Sequence, residues 1–120
     1  MFGVRGLTIV VAGADPARLH AALSLAAANA ALEGRTRVFL QADAVSLLGG
    51  AEEDPRCAAA GMPSLSELVG EVLAMGVEII ACQSGLALAG MSAEALPAGV
   101  ETGGLVALLA GLGEDRLVIA

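Results

Sequence analysis

The sequence predicts an α/β fold, with a single three-layer domain over residues 1–120 and a mostly parallel sheet of about five strands. Three observations predict it. The chain is long enough for one domain and too short for two ordinary ones. Hydrophobic residues make up 57% of it, above the usual ~45–50%, which suits a sheet buried on both faces. Apolar, strand-like runs also alternate with helical patterns, which is typical of βαβ units.

The first strand and helix have clear signals. Leu7–Ala12 (LTIVVA) is a continuous apolar run, rich in β-branched residues, of the kind found in strands buried on both faces. After a Gly-Ala turn, Asp15 is a good N-cap and Pro16 suits the first helical position. The helix is expected to run to about Glu33 and to be ended by Gly34.

The middle of the chain contains the second strand and a long connection. Residues 36–42 (TRVFLQA) are predicted to form the strand, and residues 43–48 a short helical turn. Residues 49–63 are polar and small, and connections of this length are usually functional or mobile. Ser64 and Glu67 then form a capping-box pattern, which predicts the start of another helix.

The last third repeats the alternation with shorter elements. The helix that starts after Ser64 is expected to reach Met75 and to stop at Gly76. A last helix is expected to end near Leu112. The other predicted elements are a strand over 77–81, helical turns over 84–90 and 92–96, and strands over 99–102 and 116–120. The whole pattern favours a flavodoxin-like α/β domain.

Composition excludes several classes of function. The six basic residues, all arginine, face thirteen acidic ones, which gives a net charge of −7 and disfavours binding to a phosphate backbone. Two phenylalanines are the only aromatic residues, too few for stacking on nucleic acid bases. Mean hydropathy is +0.80, but no stretch reaches the ~18 apolar residues of a membrane span. No secretory leader pattern is present, so we expect a cytoplasmic protein with reduced thiols.

Candidate site residues lie where the strands of the predicted sheet end, because ligands collect at the carboxyl ends of parallel strands. Cys82 follows a buried strand and precedes a possible helix N-terminus, where backbone N–H groups can lower the pKa of a thiol. A buried, inert structural cysteine is the alternative, since cysteine is among the most buried residues. The candidate binding residues at these strand ends are Asp15, Asp43, Gln83, Ser84, Gly85, Gly103 and Gly104.

The second cysteine and the single histidine give weaker signals. Cys57 lies in the acidic connection, where nearby carboxylates raise a thiol pKa, so we interpret it as incidental rather than as a resolving thiol. A disulfide between Cys57 and Cys82 stays open at this stage. His20 is more simply a helix residue than a general base for Cys82. No zinc site, dinucleotide fingerprint or P-loop is present, so we predict no metal and no cofactor.

Several short motifs together resemble one known family, the DsrE/DsrF-like family, and within it the branch often labelled peroxiredoxin-like. They occur in the same order as in that branch and cover most of the chain. They are MPSLSEL at 62–68, MGV at 75–77, ACQ at 81–83, GM at 90–91, Glu94, Leu96 and GVETGG at 99–104.

The resemblance implies a flavodoxin-like fold, a homo-oligomer that is a trimer or hexamer, and a persulfide carried by Cys82. It also implies rhodaneses and small sulfur-carrier proteins as donor and acceptor. The chain departs from the branch next to the cysteine. Residues 82–87 read CQSGLA instead of a Met-rich CxMSM segment, and Ser84, Leu86 and Ala89 stand at the usual methionine positions. The Met-rich insert before residue 62 is here a short acidic loop.

Three functions therefore remain as hypotheses. The first is sulfur relay, in which the Cys82 thiolate accepts sulfur and passes it on, with Gln83 shaping the pocket and Gly85 allowing close approach of the partner. The second is an oligomeric binding or scaffold module of the same fold with an idle cysteine. The third is a thiol redox protein, for which only Cys57 qualifies as the resolving thiol. A flavin or nucleotide binder is the remaining alternative.

Overall fold

One five-stranded parallel sheet organises the structure, a computed structural model that describes residues 4–50 and 54–120. The strand order is β4-β3-β2-β1-β5, and every pair of neighbours is parallel. The first four strands follow one another across the sheet, and the chain then returns to place β5 beside β1. The strands are β1 (Leu7–Ala12), β2 (Thr36–Gln41), β3 (Glu78–Cys82), β4 (Glu101–Gly103) and β5 (Arg116–Ile119).

Helices cover both faces of the sheet, which confirms the predicted α/β fold class. Side chains alternate between faces along a strand. Asn29 of the first helix bonds to Thr36, whereas the side chain of the next residue, Arg37, reaches the Leu108 carbonyl of the last helix. These helices therefore lie on opposite faces. The helices are α1 (Pro16–Ala31), α2 (Pro55–Ala59), α3 (Leu65–Ala74), α4 (Gln83–Ala89) and α5 (Leu105–Ala110), with 3-10 helices at Ala42–Gly49 and Ala93–Ala95.

The core fills the space between the sheet and the helices. The largest fully buried side chains include Phe39, Ile9, Leu23 and Ile79, all completely inaccessible to solvent. They come from three neighbouring strands and from α1, so the apolar runs seen in the sequence are the central strands of the sheet. Among the described residues, no helix is both long and apolar enough to cross a membrane.

Two predicted helix ends need correction. The first helix was expected to run to Glu33 and to end at Gly34, but α1 ends at Ala31 and Glu33 itself takes the left-handed conformation, with φ 68°. The Gly34 N–H bonds to the Asn29 carbonyl in a Schellman arrangement. Gly34 is therefore not required for its backbone freedom. It is required because no side chain fits at this position: a Cβ there would lie 2.5 Å from the Asn29 amide nitrogen. The last helix likewise ends at Ala110 rather than near Leu112.

The bounds of four of the five predicted strands shift by one or two residues, whereas β1 keeps its predicted bounds. The second strand stops at Gln41, because Ala42 turns to φ 50° and begins a 3-10 helix. The third strand runs over Glu78–Cys82 and the fourth over Glu101–Gly103, each displaced toward the carboxyl end from the predicted ranges. The predicted loop over 49–63 contains the short helix Pro55–Ala59, while its residues 51–53 lie outside the described part.

A buried polar network lies at the amino-terminal edge of the sheet. Arg37 donates from Nε to the Thr8 hydroxyl at 3.0 Å, and the same nitrogen is 3.6 Å from an Asp115 carboxylate oxygen. The side chains of Arg37 and Asp115 are each only 6% exposed. Arg37 also donates to the Leu108 carbonyl near the end of α5. The network therefore joins β1, β2, α5 and the turn before β5. The candidate site lies at the opposite edge of the sheet, where the strands end.

Candidate functional site

Cys82 is the last residue of β3 and the N-cap of α4. Its sulfur accepts a hydrogen bond from the Gly85 backbone N–H, with a distance of 3.4 Å between nitrogen and sulfur. The residue is only 8% exposed. The strand end thus fixes the thiol against the first turn of the following helix, as expected from the sequence.

A second backbone segment approaches the same sulfur from the neighbouring strand. Ala42 directly follows β2 and has φ 50°, a conformation that costs free energy for a residue with a Cβ. Gly85 lies against it, since a Cβ on Gly85 would be 2.5 Å from the Ala42 carbonyl oxygen. The 3-10 helix after β2 and the start of α4 therefore pack backbone to backbone beside Cys82.

Opposing influences set the pKa of the Cys82 thiol. Burial is the largest single influence and raises the pKa, because it disfavours the charged thiolate. Backbone N–H groups of Ala42, Gly85 and Ser84, in that order, and then the Ser84 hydroxyl act against burial by hydrogen bonding to the sulfur. Together they lower the pKa of the Cys82 thiol below its ordinary value. The thiolate is the nucleophilic form of cysteine, so this environment favours reactivity.

The thiol lies in an open cleft of about 350 Å³ at the carboxyl ends of β2, β3 and β4. Backbone and small polar groups surround the sulfur, whereas Leu88, Leu105 and Val106 supply apolar side chains. The lining residues are Gln41, Ala42, Cys82, Gln83, Ser84, Gly85, Leu88, Gly103, Gly104, Leu105 and Val106.

The structure brings together five of the seven candidate binding residues and leaves two outside the cleft. The five that line it with Cys82 are Gln83, Ser84, Gly85, Gly103 and Gly104. Asp15 does not line it: its carboxylate accepts from the Ala17 N–H at the start of α1 and pairs with Arg18. Asp43 does not line it either, and is exposed in the first turn of the 3-10 helix.

Sequence reasoning missed part of the lining. Gln41 and Ala42 were placed with Asp43 at the end of the predicted second strand, but only the aspartate was chosen as a candidate binding residue, and nothing in the sequence marks the positive φ of Ala42. Leu105 and Val106 follow the Gly-Gly pair, so their position after a predicted strand end was the available signal. Leu88 offered no comparable signal, because it lies inside a helical pattern.

Cys57 and His20 lie together elsewhere. Cys57 is on α2, partly exposed, and lines with His20 a separate depression of about 330 Å³. The His20 Nε2 is 3.1 Å from the Pro63 carbonyl oxygen, so the ring faces the connection and not the Cys82 cleft. Both cysteines are free thiols. Within residues 4–50 and 54–120, no group of three or more His, Cys, Asp or Glu side chains is arranged to hold a metal ion.

Comparisons with known proteins give one family and one fold. A family model described as the DsrE/DsrF-like family matches residues 6–119. The YchN protein of E. coli is 25% identical, with a TM-score of 0.71 over 98% of this chain and 100% of its own. MTH1491 of Methanobacterium thermoautotrophicum, described as of unknown function, is 20% identical, with a TM-score of 0.70 over 97% of this chain and 98% of its own. Among curated proteins, no significant match is found.

Proposed function

Because the chain belongs to the DsrE/DsrF-like family, we propose that it is a cytoplasmic sulfur-relay protein that carries a persulfide on Cys82. The observation that supports this most directly is the environment of the thiol. Backbone N–H groups from two neighbouring strand ends lower the pKa of Cys82, and the sulfur lies in an open cleft. A relay thiol needs both properties, because the thiolate attacks and the partner must reach it.

The proposed reaction is an exchange of one sulfur atom between thiols. The Cys82 thiolate attacks the outer sulfur of a donor persulfide, R–S–SH, and a new S–S bond forms at Sγ. The S–S bond of the donor breaks, and R–S⁻ leaves with the electron pair. The products are Cys82–S–SH and R–S⁻, so no external oxidant or reductant is required. An acceptor thiolate then removes the outer sulfur in the same way and regenerates the Cys82 thiolate.

The proposed partners are proteins. A rhodanese or a small sulfur-carrier protein would act as donor or acceptor, as the family resemblance implies. The same resemblance implies a homo-oligomer, a trimer or hexamer, and exposed apolar side chains support an interface between copies. Leu109 on α5 is 51% exposed and Ile119 on β5 is 72% exposed, and neither lines the Cys82 cleft. Side chains of this kind are commonly covered by another protein surface.

A binding or scaffold module with an idle cysteine is the second candidate. The observation that favours it is the low exposure of Cys82, at 8%, beside this exposed apolar surface. A thiol redox protein has less support, because Cys57 and Cys82 line separate depressions.

Intact mass after incubation with a persulfide donor tests sulfur relay. Wild type is expected to gain about 32 Da per sulfur, the atomic mass of sulfur, and to lose it on reduction. Cys82→Ser removes the thiol and is expected to abolish the gain while the fold stays intact, because serine is also a good N-cap. Cys57→Ser is the matched control and should still gain sulfur. Loading of Cys82→Ser would contradict the mechanism. No loading of wild type, with slow alkylation of Cys82, would favour the binding module.

A further inference from the structure

The lining of the Cys82 cleft includes apolar side chains that solvent still reaches. Leu88 is 72% exposed, Val106 is 86% exposed and Leu105 is 37% exposed, and all three line the cleft. Gln41 and Gln83 are the longest polar side chains of the lining, and their amides carry no charge. A molecule that approaches the sulfur therefore passes between uncharged walls.

The six arginines of the protein all lie away from this cleft. Arg35 directly precedes β2 and Arg37 is its second residue. Arg5 and Arg116 lie beside them at the amino-terminal edge of the sheet, opposite the cleft. The remaining two arginines, Arg18 and Arg56, are bound to Asp15 and Asp54 in ion pairs of 3.6 and 2.7 Å. Among the described residues, which include every arginine of the chain, none lines the cleft.

An anionic donor would meet three unfavourable conditions here. Its carboxylate would lose water between apolar walls without gaining an ionic partner, and buried charges are costly unless they are paired. It would approach a thiolate, and like charges repel each other. It would also approach a chain of net charge −7, whose field slows the association of anions. An uncharged, apolar donor meets none of these conditions and covers exposed leucine and valine side chains.

We propose that the Cys82 cleft selects uncharged, apolar persulfides and thiols, and disfavours donors with a carboxylate next to the reacting sulfur. This rests on the proposed function, since it names the class of sulfur compound that reacts there. A volume of about 350 Å³ is near the lower end of the ~300–1,000 Å³ usual for small-molecule sites. The cleft therefore has room for the persulfide of a partner protein together with one small apolar group beside it.

Matched alkylating agents test the charge preference without any sulfur transfer. Iodoacetamide and iodoacetate deliver similar groups to a thiol and differ by one negative charge. In the Cys57→Ser variant, Cys82 is expected to prefer iodoacetamide at least ~10-fold more than free N-acetylcysteine methyl ester does, in line with the range of electrostatic effects on association rates. A preference within about twofold of that of the free ester, whose thiol has no carboxylate beside it, would overturn the proposal.

A matched pair of donors extends the test to sulfur transfer. The persulfides of N-acetylcysteine methyl ester and of N-acetylcysteine differ by one carboxylate, and the ester is expected to load Cys82 at least ~10-fold faster. Selective alkylation without any gain of sulfur would contradict the proposed function and leave the charge preference standing. Gain of sulfur at equal rates from both donors would overturn the preference alone.

Charge variants distinguish an effect of the cleft lining on the reagent preference from an effect of the protein's net charge. Val106→Arg and Leu88→Arg each place a cation on a lining residue and are expected to reduce the preference for the neutral reagent at least threefold. Leu32→Arg is the matched control: Leu32 is 57% exposed and lies at the end of α1, on the opposite side of the sheet. It adds the same charge and should change the preference little. Equal effects of Leu32→Arg and Val106→Arg would overturn the assignment to the cleft.

Discussion

Gly85 packs directly against the backbone of Ala42, so the two segments that surround the Cys82 sulfur are in contact with each other. A Cβ at position 85 would lie 2.5 Å from the Ala42 carbonyl oxygen and 2.8 Å from a methyl carbon of Val45. Both distances are shorter than real Cβ contacts, and one obstacle is main chain. The absence of a side chain at Gly85 therefore lets the N–H groups of Ala42 and Gly85 approach the same sulfur.

We expect Gly85→Ala to destabilise the protein by about 1–3 kcal/mol, the usual cost of overpacking a core. The new methyl group must push the 3-10 helix away from α4, which also raises the pKa of Cys82 by weakening its hydrogen bonds. Urea denaturation measures the first effect. Gly70→Ala is the control, because Gly70 is exposed on α3 and a methyl group there would have nothing within 4 Å of it. It should stabilise by ~0.5–1 kcal/mol; equal effects of both changes would contradict the close contact.

The rate of Cys82 alkylation should rise with pH around a midpoint below that of a free cysteine thiol measured under the same conditions. The midpoint is expected to be low because the pKa of the Cys82 thiol is lowered, so the reactive thiolate forms at lower pH. Ser84→Ala removes one hydroxyl donor and should move the midpoint upward, while the backbone N–H groups keep it below that of free cysteine. Iodoacetamide kinetics in the Cys57→Ser variant measure this. Ser24→Ala changes an exposed residue of α1 and should leave the midpoint unchanged. A midpoint in the parent protein at or above that of the free cysteine thiol would contradict the structure.

Asp115→Asn should be strongly destabilising, by about 3–5 kcal/mol, because it leaves the buried Arg37 guanidinium without its counter-charge. Thermal or urea unfolding measures the loss. Arg18→Ala provides the comparison, since Arg18 and Asp15 are also 3.6 Å apart but their side chains are 62% and 52% exposed. An exposed pair contributes little, so this change should cost less than ~1 kcal/mol. Similar costs for the two variants would show that the Arg37 pair is not buried in solution.

The capping box of α3 gives a prediction about pH. The Ser64 backbone N–H donates to the Glu67 carboxylate and lowers the pKa of Glu67. Because this pKa is lower in the folded state, its contribution to stability is present above the unfolded pKa of ~4.3 and is lost as pH falls through the folded value. Glu67→Gln keeps an acceptor at this position and should flatten the pH dependence of unfolding in that range. An unchanged dependence would contradict the contact.

Ser64→Ala removes the other half of the same capping box. The Ser64 hydroxyl accepts from the Glu67 N–H at 3.1 Å, and loss of such an N-cap typically costs ~0.5–2 kcal/mol. Urea denaturation at neutral pH measures the cost. Ser66→Ala, two residues later on the exposed side of α3, is the matched control and should cost less. Equal costs would mean that the cap contributes nothing specific.

The order of elements could be predicted from the sequence wherever the signal lies within a few neighbouring residues. The apolar run of Leu7–Ala12 became β1 without a change of bounds, and the Asp15 and Ser64 caps start α1 and α3 as predicted. The predicted bounds are wrong where a tertiary contact determines the local structure. Gly34 was expected to end α1 through its backbone freedom, but Glu33 takes the left-handed conformation and Gly34 is fixed by the space beside Asn29.

The sequence by itself determined the α/β class, the alternation of strands and helices, and the position of Cys82 at the end of a buried strand. These follow from periodicity, caps and apolar runs, which act over a few residues. Only the tertiary structure decided that Ala42 and Gly85 meet at the sulfur, that Val106 joins the cleft, and that Asp15 and Asp43 stay outside it. Those placements depend on which strands become neighbours and on the backbone angle of a single residue, and no local pattern encodes either.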